Sequence, residues 1–123
     1  MTKEAALYQF FNRFGIPGYP TTSVPEDAVF PWLTYEVVTG SLEDGENAIV
    51  VDLWYYGESE AIPNAKAQEI SNHIGNGGVV IPVDGGYIWI KRGSPWCRNL
   101  TDETNRNIKR RDLNVIVEYL TPN

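Results

Sequence analysis

The chain has one cysteine (Cys97), one histidine (His73) and one methionine in 123 residues. A single cysteine excludes an internal disulfide and a cysteine-based metal cluster, and a single histidine excludes a two-histidine metal site. Apolar runs stop at about five residues, whereas a membrane-spanning helix needs roughly 20. The opening Met-Thr-Lys-Glu-Ala-Ala has no apolar leader core, so a cytosolic protein is expected. Basic residues are scarce over most of the chain. Residues 1–90 hold three (Lys3, Arg13, Lys66) against twelve acids, a net of −9, while residues 91–123 hold seven against four, a net of +3.

What is present suits one globular domain. At 42% hydrophobic and 12% aromatic, the chain can bury enough apolar surface to offset the entropy of ordering. Leu7, Phe10, Phe11 and Phe14 share a helical face, with Thr2 as a cap and Gly15 followed by Pro17 as a stop. A proline-punctuated arm from Gly15 to Pro31 excludes helix or central strand over most of its length. Trp32–Thr39 and Asn47–Tyr56 read as an antiparallel strand pair joined by an acidic link, Gly40–Glu46. Both faces of the second strand are largely apolar, which predicts that both are covered. Pro63 opens a second helix with an Ala67, Ile70, Ile74 stripe, and Gly75 ends it. Val79–Val83 and Tyr87–Lys91 flank an Asp84-Gly85-Gly86 turn. The segment from Gly93 to Arg110 is polar, basic and without periodicity, and Asp112–Leu120 closes the chain as a strand. The expected fold class is α+β, in the order α-β-β-α-β-β-β: a mixed, mostly antiparallel sheet packed by two helices.

No catalytic constellation stands out. Asp52, on an otherwise apolar strand, is the carboxylate most open to a raised pKa, and Cys97 is the only thiol; a small hydrolase or transferase would have to use one of them. The glycines at 75, 77 and 78 follow a helix and precede a strand, the reverse of a phosphate loop. The basic cluster Arg106, Lys109, Arg110 and Arg111, with Arg98 and a stacking Trp96 upstream, has the composition of a nucleic-acid patch. Acids interleave it, so a partner-facing or solvated surface is the other reading. No metal or cofactor is expected.

The run from Leu7 to Val38 orders an amphipathic helix, Gly15-Ile16-Pro17, Tyr19-Pro20, Val24-Pro25 and Phe30-Pro31-Trp32-Leu33-Thr34-Tyr35 entering a strand. In this it resembles the tail terminator, or tail completion, proteins of long-tailed bacteriophages, and more loosely so through the final strand. Head-closure and other connector proteins of the same virions have similar sizes and patterns. The resemblance implies a single terminator-like domain, residues 1–123, with a structural and non-enzymatic role in the virion after assembly in the host cytoplasm. Such proteins form a ring, typically hexameric, that caps the tail tube, stops its polymerisation and offers a head-joining surface. The implied partners are copies of itself, the tail-tube protein and head-completion proteins, with DNA passing through the ring without specific binding and no membrane contact. A ring uses head-to-tail interfaces between unlike patches. The acidic link (Glu43, Asp44, Glu46) and the basic residues Arg106, Lys109, Arg110 and Arg111 are the expected intersubunit or tube contacts.

Overall fold

A computed structural model describes the whole chain, Met1–Asn123. The fold is α+β, with two helices and one mixed six-stranded sheet. Helix α1 spans Lys3–Phe11, and the Thr2 side chain caps it by accepting from Ala5 N–H at 3.1 Å. Strand β1 (Gly18–Pro20) runs parallel to β2 (Trp32–Tyr35), which pairs antiparallel with β3 (Glu46–Tyr56). A 3-10 turn, Leu42–Asp44, joins β2 to β3. Helix α2 (Ala61–Ile74) ends on Gly75 at φ +73°, a conformation glycine adopts without strain. Then come β4 (Val79–Val83), β5 (Gly86–Thr101) and β6 (Ile108–Leu120). The sheet order is β1-β2-β3-β6-β5-β4, so the last strand inserts at the centre beside β3.

Both helices lie on one face. Leu33, Tyr35, Ile49, Val51, Leu53, Ile88, Ile90, Leu113, Val115, Val117 and Tyr119 alternate along their strands to meet Leu7, Phe10, Phe11, Ala67, Ile70 and Ile74 in one core. Phe11 stacks on Tyr35 at 4.7 Å between ring centroids. Helix α1 touches both outer strands, β1 and β4, which requires the sheet to curl around it.

Helix α1 stops at Phe11, short of Phe14 and Gly15, and β1 adds an edge strand within the arm to the expected order. Three further features depart from the sequence reading. First, β2 ends at Tyr35 rather than Thr39. Glu36 N–H still donates to Val50 O, but Val50 N–H donates to the Glu36 carboxylate at 2.5 Å, so a side chain takes the place of the backbone carbonyl and the ladder stops. Second, Gly93–Arg110 is mostly strand: β5 continues past a register shift between Arg92 and Cys97, and Cys97–Thr101 pairs with Lys109–Leu113. The central strand β6 supplies hydrogen-bond partners whatever the side chains, so pairing overrides weak propensity. Third, only one face of β3 is covered within the chain; Val50 and Tyr56, on the other, are 40% and 56% exposed.

Neither sheet edge offers a continuous run of free backbone groups for strand addition. On β1, the Asn12 side-chain amide accepts from Gly18 N–H at 2.9 Å and donates to Gly18 O at 3.0 Å, occupying the edge as a strand would. Val83 and Gly86 flank a two-residue turn, so Val80, Pro82 and Asp84 direct their backbone groups outward from β4. Pro82 has no N–H and Asp84 N–H donates to Met1 O at 2.8 Å, which leaves Val80 as the free donor.

Candidate functional site

The alternate residues of the sheet form a face that neither helix covers. Across its middle the register aligns Trp32, Trp54, Arg110 and Leu100 in one row and Thr34, Asp52, Asp112 and Arg98 in the next. Phe30, from the arm, lies 4.4 Å from Trp32 and 5.6 Å from Tyr56 by ring centroids. Trp54 donates to Thr34 Oγ1 at 3.0 Å and carries the Arg110 guanidinium over its ring. Towards the other end Ile116, Leu120, Trp89 and Tyr87 continue the apolar surface beside Glu46, Glu118 and Lys91. The uncovered face thus carries apolar and aromatic groups at both ends, separated by a charged row across its middle.

At its centre, Asp52 and Asp112 face each other across the β3–β6 ladder. Burial and then the like charge of Asp112 push the Asp52 carboxyl up to about 6. Arg98 binds Asp112 at 3.3 Å, whereas Arg110 Nε stands 3.9 Å from Asp52 Oδ1, and neither of those two atoms has a hydrogen-bond partner. Cys97 pairs with Leu113 and packs towards the core on the opposite face, so Asp52 and Cys97 do not converge on one site. Burial pushes the Cys97 thiol up, away from the reactive thiolate.

The basic residues proposed as contacts are placed unequally. Arg106 is exposed and has no carboxylate partner. Arg110 is half-buried on the uncovered face. Lys109 and Arg111 point to the core side, and Arg111 is 0% exposed, with Nη2 2.6 Å from Glu60 Oε1 and Nε 2.7 Å from Asn64 Oδ1. This corrects the reading of Arg111 and Lys109 as surface contacts: both cations are used inside the chain by Glu60, at the start of α2. The bond from Arg111 in turn holds the Glu60 carboxyl below its usual range. The alternation Lys109, Arg111, Leu113, Val115 could have revealed this in the sequence, since it continues the buried register of the closing strand. Lys109 and Arg111 are met by Glu60 and Arg110 by Asp52, while Asp102, in the adjoining hairpin turn, bonds Thr104 and Asn105, so Arg106 alone of the four keeps an unpaired charge.

The acidic link is better presented. Glu43 and Asp44 are exposed on the 3-10 turn, and Asp44 accepts from Ser41 N–H at 2.7 Å. Glu46 binds Lys91 at 2.6 Å. Trp96, the proposed stacking platform, is half-buried, packs against the core and donates to Ala67 O at 3.2 Å. His73 is exposed beside Arg13, 2.8 Å away.

The concavities are small. One of about 280 Å³ lies between α1 and β4 and one of about 230 Å³ beside Trp54 and Arg110, both below the range usual for small-molecule sites, while a more open hollow of about 400 Å³ lies beside Arg92 and Trp96. No group of three or more His, Cys, Asp or Glu is placed to hold a metal ion, and no helix is long and apolar enough to cross a membrane. No family model matches the sequence, and no curated protein matches it significantly.

Proposed function

We propose that this chain is a structural virion protein of the tail-terminator kind, forming a ring that caps the tail tube, stops its polymerisation and presents a surface to the head. A hexamer is the ring size that the resemblance suggests. The observation that carries an assembly role is the uncovered sheet face: apolar and aromatic side chains stand exposed on a sheet whose edges offer few free backbone groups. Contacts between copies, or with the tube, therefore use side chains rather than strand addition. The role is assembly rather than chemistry, with the DNA-binding alternative weakened by the internal pairing of Lys109, Arg110 and Arg111. A head-closure or other connector protein would share these surfaces and differ in the stage at which its loss stops assembly.

The test is electron microscopy of particles made without this chain. Overlong tails that do not join heads are expected. Tails of normal length left unjoined to heads would place the chain in the connector instead, and normal virions would refute both readings.

A further inference from the structure

Six of the ten cations take a carboxylate partner within the chain: Lys66, Lys91, Arg98, Lys109, Arg110 and Arg111. Arg92 does not, although it is half-buried and fixed in place. Its Nη1 donates to Ser71 Oγ at 2.8 Å and its Nη2 to Asn76 Oδ1 at 2.5 Å, both neutral acceptors contributed by α2 and the residues just after it. The guanidinium is thus held in one orientation while its charge remains uncompensated. It lies in an open hollow of about 400 Å³ lined also by Gly93, Ser94 and Trp96, where β5 runs past the end of β4 and shifts register. The backbone is pressed close here: a Cβ at Gly93 would come within 2.6 Å of the Asn114 side chain, so this position keeps glycine. A pre-oriented cation beside an indole suits a carboxylate carried by a small apolar protrusion.

The chain carries such a protrusion. Leu42 is 60% exposed on the 3-10 turn, next to Glu43, which has no cationic partner. The turn is rigidly seated: Leu42 N–H donates to Thr121 O at 2.8 Å, and Ser41 and Asp44 cap it. Thr121 lies six residues beyond Val115, the partner of Arg92 across the ladder, which is about 20 Å along the strand. A glutamate side chain cannot span that gap, so Glu43 does not reach the Arg92 of its own chain.

We propose that the Arg92 hollow is a socket for the Leu42–Asp44 turn of a second copy of this chain, with Glu43 pairing to Arg92. A chain of net charge −6 repels its own copies at long range, so a contact between copies is most favourable where an unpaired cation meets an unpaired carboxylate. The two patches are unlike and lie apart on the same molecule. Their contact is head-to-tail and propagates to a ring when the rotation closes. The contact rests on the ring reading above and names the surfaces that meet.

Sedimentation velocity and light scattering on the full chain at low salt test it. Wild type associates; Glu43→Arg and Arg92→Glu each weaken association at least about 30-fold, and the double variant recovers it. Glu43 bonds to nothing that holds the fold, so Glu43→Arg stays readable if Arg92→Glu fails to fold. Mixing Glu43→Ala with Arg92→Ala yields a dimer and nothing larger, because each variant keeps one intact patch and only one good contact can form. Wild type that remains monomeric at its highest soluble concentration overturns the contact, as does undiminished association of Glu43→Arg. Binding of inorganic phosphate at Arg92, with self-association unaffected by either variant, would assign the hollow to a free oxyanion and also overturn it. Particles of normal form containing Glu43→Arg chains that no longer associate in solution would refute the terminator role while leaving the contact standing.

Discussion

Replacing Asp52 by asparagine is expected to stabilise the protein at neutral pH and to leave it unchanged in acid. The two carboxylates of Asp52 and Asp112 sit side by side on the uncovered face, and the Asp52 side chain is only 17% exposed. Its proton is held to about pH 6 rather than the ordinary 3.8, with burial the larger cause and Asp112 the next. At about 1.4 kcal/mol per pH unit, this corresponds to about 3 kcal/mol between the charged and neutral forms. The sign follows from proton uptake on folding. Between pH 3.8 and about 6 the folded chain holds a proton that the unfolded chain has released, so stability falls as pH rises through that window. Above it the full penalty is present; below it both states are protonated and the penalty vanishes.

Asparagine reproduces the shape and polarity of the neutral acid. Asp52→Asn should therefore gain about 3 kcal/mol at pH 8, about 10 °C in Tm for a domain of this size, and close to nothing at pH 3.5. Urea unfolding at a series of pH values, followed by circular dichroism, measures the difference directly. A gain that does not depend on pH, or a loss at pH 8, would refute the reasoning. A loss would mean that Arg110, 3.9 Å from Asp52, depends on that carboxylate more than the carboxylate suffers from Asp112.

Arg111→Ala should destabilise the monomer by about 3 kcal/mol in urea, because it empties a fully buried site and strips Glu60 and Asn64 of their donor; a surface contact would cost far less. Asn12→Ala should lose about 1–2 kcal/mol and open the β1 edge, while Pro82→Thr opens the β4 edge; light scattering on heating should show earlier aggregation in both. Tyr56→Lys, on the uncovered face, should leave the urea midpoint within about 0.5 kcal/mol of wild type, and particle assembly should be the property it impairs.

Much of the fold is legible in the sequence because local chemistry and tertiary structure agree there. The Thr2 cap, the Leu7, Phe10, Phe11 face, the Gly75 stop and the Val79–Val83 strand each follow from a short pattern that the packing then uses. The extension of β5 to Thr101 has no such pattern, since Pro95 and the polar residues around it give no alternation and the strand exists through its pairing with β6. The charges behave likewise. That Lys109 and Arg111 belong to the core-side register is visible once the closing strand is extended backwards, but the identity of their partner, Glu60, depends on where α2 begins. Asp52 is legible as unusual, while its neighbour Asp112 becomes one only through the insertion of β6 beside β3.

That insertion also decides which charges remain available to a partner. By placing the basic final quarter at the centre of the sheet, it brings Lys91 to Glu46, Lys109 and Arg111 to Glu60, and Arg110 towards Asp52, so much of the basic tail's charge is met by the acidic body within the molecule. What survives is local. Arg92 lies at the register break, where β5 has lost β4 and its side chain turns to neutral acceptors of the α2 end, and Glu43 lies on a turn outside the sheet. Segment totals therefore overstate the attraction between copies. The contact with the greater claim to specificity joins a cation fixed by neutral acceptors to a carboxylate on a seated turn, neither of which has a charged partner in its own chain.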